Sequence, residues 1–339
     1  MPTPSPGRTG RRRSRFLVGA LALALAGSLA ACGSHSDDDA AGAGQKSSGA
    51  FPAKVSTKFG TVTVKQQPKR VVALGWGDAE TALALGVQPV AASDWLAFGG
   101  DGVGPWAKGK YDKSPQKIGT LEPEYEKIAA LRPDLILDTK SSGDQTRYDT
   151  LSKIAPTVGV PKGGDQYKQT WEKQTTMVAQ ALGVPEKGEK LIADTEKEFS
   201  DAAAAHPEFK GKTITVGSRT ASAWGAYVRG TGRIDFVERL GFTNNPAVEK
   251  KAGSAFSVPV SEENLQMLDA DLMVMAPIGT TAKKISSDPL FASIPAAKKG
   301  HAVVFDDPNI SQAFATDSVL SVRYALKNVV PLFADAMKK

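Results

Sequence analysis

Two segments of the chain, EKIAALRPDLIL (126–137) and ENLQMLDADLMV (263–274), carry one pattern at an offset of 137 residues without a gap. Glu126 matches Glu263, Ile128 matches Leu265, Leu131 matches Leu268 and Asp134 matches Asp271. Leu135-Ile136-Leu137 then matches Leu272-Met273-Val274. In each copy apolar residues recur at helical spacing, and a continuous apolar run follows. Such a run is the signature of a strand buried on both faces of a parallel sheet. Three further pairs keep the same order along the chain. KRVVALG (69–75) and KTITVGS (212–218) are β-branched strands ending at a small residue. Leu85-Gly86-Val87 and Leu240-Gly241-Phe242 each close the following helix with a glycine, a common helix stop. LSKIAPTVGV (151–160) and FASIPAAKKGHAVVF (291–305) both read as a short helix, a proline and a last strand.

The repeat predicts two α/β lobes, each a parallel sheet with helices on its faces. Their boundaries fall at 53–164 and 211–339, with a helical connection over 165–210. Within that connection Pro185 opens a helix whose stripe is Leu191, Ile192, Thr195, Phe199, Ala202 and Ala203. Run unbroken to Ala205, it spans ~30 Å, the width of a lobe, and can brace the two apart. A closing helix from about Asp317 presents Val319, Val322, Leu326, Val329, Val330, Phe333 and Met337 on one face. Two such lobes leave a crevice at the carboxyl ends of their strands, where open α/β sheets bind ligands.

The ends of the chain say where it works. Residues 1–31 hold Arg8, Arg11, Arg12, Arg13 and Arg15, no acid, and the apolar run FLVGALALALAGSLAA. That run is shorter than the ~20 residues of a spanning helix and reads as an export signal, with Sec and twin-arginine routes both open. Removing those 5 from the 42 basic residues leaves 37 against 36 acids, so the mature chain is nearly neutral and unsuited to nucleic acid. Leu29-Ala30-Ala31-Cys32 resembles the bacterial lipobox, in which the cysteine is acylated and becomes the first residue. Cys32 is the only cysteine of the chain, which leaves no thiol for a disulfide. Residues 32–52 then form a small, polar tether that holds the mature protein outside the cytoplasmic membrane.

Aromatic rings and arginines collect at the predicted strand ends. The first lobe contributes Trp76 and Asp78, then Trp95, Phe98 and Trp106, then Ser142 and Arg147. The second contributes Arg219, Trp224, Tyr227, Arg229 and Arg233. Trp171, on a helix stripe, belongs to the core. Rings interleaved with arginine suit a flat, polar, partly aromatic ligand, since guanidinium both forks onto oxygens and stacks on rings. The three histidines are scattered and the lipobox consumes the thiol, so a bare transition-metal site is not expected. Iron, if carried, arrives already chelated. No nucleophile elbow, H-E-x-x-H, P-loop or dinucleotide fingerprint stands in the chain, so catalysis is not expected either.

At 51–337 the chain resembles the periplasmic binding proteins that deliver ferric siderophores, haem and cobalamin to ABC importers. KRVVALGWGDAETALALGVQPV, IGTLEPEYEKIAALRPDLIL, VSEENLQMLDADLMVM and DPLFASIPAAKKGHAVVFD carry the resemblance. It implies two lobes joined by one helix, small hinge motion, a monomer and no catalysis. It also implies that Glu126 and Glu263, one per lobe, contact arginines on a two-subunit permease. A ferric siderophore is the leading cargo. Cobalamin and haem stay open, as does an envelope adhesion or assembly role without a small ligand. Hydroxamate and catecholate chelators are both open, with the rings outnumbering any basic cluster and leaning toward hydroxamate.

Overall fold

The computed structural model describes residues 50–164 and 166–339. The export signal, Cys32 and the tether as far as residue 49 lie outside the described residues. Described sequence begins with a hairpin of β1 (Ala53–Thr57) and β2 (Gly60–Val64). Alternate residues face inward, and Gly60 at φ 111 supplies a turn conformation that side chains resist.

The first-lobe sheet contains β3 (Val71–Ala73), β4 (Ala91–Ser93), β5 (Gln116–Ile118), β6 (Leu135–Leu137) and β7 (Thr157–Val158). Its order is β5-β4-β3-β6-β7, all parallel, as the alternation of strands and helices requires. The second-lobe sheet contains β8 (Thr213–Arg219), β9 (Trp224–Tyr227), β10 (Thr243–Asn244), β11 (Ser257–Val260), β12 (Leu272–Pro277) and β13 (Ala302–Val304). Its order is β11-β9-β8-β12-β13, with β10 beside the start of β8. Here the expectation of a purely parallel sheet needs correction, because β9 runs antiparallel to β8 and β11 antiparallel to β9. The cause is local. Thr220 N donates to Ala223 O at 2.8 Å, closing a tight turn directly after β8. So short a link can only reverse the chain; a parallel return needs a crossover of a dozen residues or more.

The repeated segments coincide in space as well as in sequence. Val71 pairs with Leu135 in one sheet, and Ile214 pairs with Leu272 in the other. Asp134 accepts from Lys69 N and Arg70 N at 2.7 and 2.8 Å, and Asp271 accepts from Thr213 N at 2.8 Å. The shared aspartate thus anchors the start of each lobe's central strand.

Two helices make the connection. Trp171–Leu182 is capped by Thr170 and stopped by Gly183 at φ 71. Its Met177, Val178 and Leu182 pack on Val55, Val64 and Leu137 in the first-lobe core. Pro185–Ala205 follows, with Thr195 and Phe199 buried, and its 21 residues span about 30 Å. The closing helix, Val319–Met337, starts at a capping box made by Ser318 and Ser321. It lies against the strut through the pair of Arg323 Nε and Glu198 at 2.8 Å. It also reaches the first lobe, where Leu320 meets Leu83, Ala107 and Tyr111. The strut thus links the lobes, and the closing helix of the second lobe also packs on the first.

Candidate functional site

The carboxyl ends of β3, β4 and β6 face the second lobe and carry most of the informative side chains. Trp76 and Trp95 stack with ring centroids 5.6 Å apart and planes 11° from parallel. Trp95 Nε1 donates to Leu74 O at 2.9 Å, and Tyr167 meets the ring edge-on at 5.7 Å. Phe98 stands edge-on to Trp106 at 5.5 Å, while Trp106 leans on Tyr324 of the closing helix. The loop between β4 and β5 is tied by Asp94, which accepts from Phe98 N and Gly99 N at 2.9 Å each. Trp76, Trp95, Leu96, Phe98, Val103, Ser93 and Glu80 line a small pocket, and Thr316 of the second lobe completes it. The structure brings together, across the lobe boundary, the first-lobe rings that the sequence singled out. The Trp76 indole N–H has no partner among the described residues.

Beneath this pocket lies a buried polar junction that sequence reasoning missed. Lys140, just past β6, donates to Asp317 Oδ2 at 2.7 Å and to Asp317 O at 2.9 Å. The side chains are only 5 % and 7 % exposed, so the ion pair is withdrawn from water. Asp317 has φ 51 and forms the corner between helices Pro308–Thr316 and Val319–Met337. Beside it Ser318 donates to the buried Glu80 carboxyl. Burial pushes the carboxyls of Glu80 and Asp317 up; the Ser318 hydroxyl opposes the first shift and the Lys140 ammonium the second. No local signal marks such a pair, whose members stand 177 residues apart.

Several expected site residues are placed elsewhere. Asp78 is fully buried and accepts from Gly75 N at 3.0 Å, Thr139 N at 2.9 Å, the Thr139 hydroxyl and Gln174 Nε2 at 2.8 Å. It ties two loops to the helix Trp171–Leu182 and has no acceptor left for a ligand. Burial is the main reason its carboxyl is raised to about 6. Arg147 is buried too, forked onto Asp138 at 2.7 and 3.0 Å, with Nη1 donating to Leu121 O at 3.0 Å. Its role is to brace the loop before Glu122. Trp224 and Tyr227 are corrected from loop residues to buried strand residues, because β9 turns back into the sheet. Trp224 stacks on Phe291 at 5.7 Å. Arg229, carried away from the strand ends by the same reversal, pairs with Glu238 at 2.7 Å.

Three further expected residues lie outside the pocket lining. Ser142 is half-buried in the loop after β6, its hydroxyl accepting from Asp144 N at 3.3 Å. Arg233 sits 4.2 Å over the Tyr227 ring and within electrostatic reach of Asp317. Arg219, at the carboxyl end of β8, sits 4.8 Å over Trp224, and its Nη1 has no partner among the described residues. Glu126 and Glu263 are both exposed, at the start of helix Tyr125–Ala130 and of the 3-10 helix Glu262–Leu268. Ile128 and Leu265 anchor those elements from below. Among the described residues no group of three histidine, cysteine, aspartate or glutamate side chains could hold a metal ion.

Two α/β lobes with a ring-lined cleft at their strand ends define a solute-binding receptor rather than a nucleotide-binding fold. The profile of the family described as periplasmic binding protein matches residues 71–309, and the chain belongs to that family. A probable siderophore-binding lipoprotein of Bacillus subtilis is 30 % identical over 260 residues, covering 72 % of this chain and 77 % of the relative. The Fe(3+)-citrate-binding protein of the same organism is 28 % identical, covering 86 % of this chain and 89 % of its own length. Among solved structures, the iron-uptake protein PiaA of Streptococcus pneumoniae in complex with ferrichrome superposes with a TM-score of 0.72. It is 27 % identical, and the match covers 84 % of this chain and 99 % of that one.

Proposed function

We propose that this protein captures a ferric siderophore between its lobes and hands it to an ABC importer. The observation that carries the reading is the stacked Trp76–Trp95 pair set across the cleft from Thr316 in a chain of this family. Flat rings and unpaired N–H donors suit a chelate that presents amide and oxygen edges. Iron is held through its chelator, without protein ligands, and the chelate leaves unaltered, so the protein is a receptor and not an enzyme. Cys32 carries the lipid that keeps it on the outer face of the cytoplasmic membrane, and Glu126 and Glu263 meet one permease subunit each. The receptor works as a monomer, since one chain supplies both lobes and both carboxylates.

Intrinsic fluorescence tests this directly, because Trp76 and Trp95 are half-buried at the pocket wall. Titration with ferric hydroxamate, catecholate and carboxylate chelates should give saturable quenching by at least one of them. Silence toward all three types overturns the reading. Recovery of the protein with a haem or cobalamin absorption spectrum would reassign the cargo within the same fold.

A further inference from the structure

Glu126 and Glu263 can steer a partner, but exposed charge pairs contribute too little to hold one through a transfer. Apolar surface can. Among the described residues five large apolar side chains are exposed, Leu121, Phe256, Ile278, Leu290 and Leu332. Phe256 leans on Tyr227, Ile278 follows the carboxyl end of β12, and Leu332 sits on the closing helix. The other two stand beside the paired glutamates, one on each lobe.

Leu121 is 70 % exposed and precedes Glu126 by at most about 17 Å of chain. Its loop is pinned from three sides. Arg147 Nη1 donates to Thr120 O at 3.2 Å and to Leu121 O at 3.0 Å. Glu124 accepts from Gly119 N at 3.1 Å, and the Ser93 hydroxyl donates to Gly119 O at 2.9 Å. Leu290 is 45 % exposed, on the short helix Pro289–Ser293. The Ser293 hydroxyl donates to Leu290 O at 2.7 Å and accepts from Gln266 Nε2 at 3.0 Å. Gln266 lies one 3-10 turn beyond Glu263, hence on the same side of that helix. Beneath, the buried Phe291 stacks on Trp224 and fixes the helix in place. A single exposed leucine calls for no explanation. These two differ, because each is held by a side-chain hydrogen bond to its own carbonyl, next to one member of a matched carboxylate pair.

We propose that Leu121 and Leu290 are the apolar anchors of the importer-docking face, each entering an apolar depression beside a cation on one of two permease subunits. This deepens the receptor reading above and rests on it. Burying the two side chains supplies the holding that the glutamates lack, and loops already fixed in place lose little freedom on docking.

The test uses cells lacking their own copy of this chain and carrying the full-length wild type or a variant. They receive ferrichrome, ferric enterobactin and ferric citrate in turn, each labelled with radioactive iron. Import of whichever chelate the wild type carries should fall at least about fivefold for Leu121→Ala and for Leu290→Ala, and further for the pair. Leu121→Met and Leu290→Met keep the apolar volume and should stay within about twofold. Leu332→Ala, on a helix that carries neither glutamate, should import as the wild type does. Fluorescence titration of each purified variant with the same chelate should give an affinity within about twofold of the wild type. Full import by the double alanine variant, or an import defect matched by lost chelate affinity, overturns the anchors while the receptor reading survives. A wild type that imports none of the three chelates overturns the receptor reading and the anchors together.

Discussion

The two lobes share a scaffold and divide the chemistry. Each hangs its central strand on the aspartate of the repeated segment, Asp134 on Lys69 and Arg70, Asp271 on Thr213. They part directly after that strand. In the first lobe the chain leaves β3 through Gly75-Trp76-Gly77 into a helix, so Trp76 remains at the strand end, facing the cleft. In the second it reverses at Thr220–Ala223, and Trp224 and Tyr227 are drawn into the sheet. One lobe therefore supplies rings, while the other supplies the Thr316 wall. What was duplicated is the frame that aims strand ends at a cleft; strand direction, which the repeat does not encode, decides what is aimed.

The sharpest way to break this picture is at the junction that holds the unlike halves together. Lys140→Met leaves Asp317 charged and buried without its partner, a loss of about 3–5 kcal/mol in chemical denaturation. Adding Asp317→Asn, which tolerates the left-handed corner, should recover most of that loss. A cost below about 1 kcal/mol for the single change would mean that helix packing alone joins the lobes.

Asp78 gives a pH test confined to the first lobe, since its counterpart in the second lobe, Thr220–Ala223, is a turn with no carboxylate. Burial raises its carboxyl from an ordinary 3.8 to about 6, so the folded protein holds the proton more tightly than the unfolded chain. The stability this group contributes is complete below pH 3.8 and is lost as pH rises through about 6. At about 1.4 kcal/mol per pH unit the swing comes to about 3 kcal/mol. Asp78→Asn removes that slope. The measured difference between wild type and variant should shrink from pH 4 to pH 8, and a difference that grows with pH would contradict the burial assignment.

Smaller effects test the shared frame itself. Asp134→Ala and Asp271→Ala each strip charged acceptors from the start of a central strand, at about 1.5–3 kcal/mol apiece. Lying in different lobes, their costs should add to within about 0.5 kcal/mol. A silent Asp271→Ala would show that the second lobe, with its longer β8 and antiparallel neighbours, no longer depends on the anchor.

That frame was legible in the linear chain because its requirements are local. A buried parallel strand must be continuously apolar, an aspartate before it can satisfy backbone N–H groups, and a strut needs 3.6-residue spacing behind a proline such as Pro185. The site was legible only in part. Trp76, Trp95 and Phe98 follow parallel strands and line the pocket, whereas Trp106, after the same strand as Phe98, packs on Tyr324. For Trp224 and Tyr227 the same inference failed, since alternation looks the same in a strand of either direction. Asp78 misled because a carboxylate in a glycine-rich loop can bind a ligand or tie the loop, and burial, invisible in sequence, decides. Lys140 and Asp317 meet only when the lobes do.

The smallest structural effect carries the largest functional one. Glu126 and Glu263 occupy matched positions, exposed, one on each lobe, and each stands over a buried anchor, Ile128 or Leu265. Replacing either by alanine should leave stability within about 0.5 kcal/mol and ligand affinity unchanged, since neither side chain touches the core or the cleft. In the receptor proposed above, uptake by cells should nevertheless fall for each single variant by a similar factor and further for the double. Charge pairs of this exposed kind orient a partner more than they hold it, so the defect should appear in the rate of productive docking and deepen at high salt. Unequal defects would carry the asymmetry of the cleft out to the docking face. Equal ones would confine it to the strand ends, leaving the outer surface as symmetric as the repeat that built it.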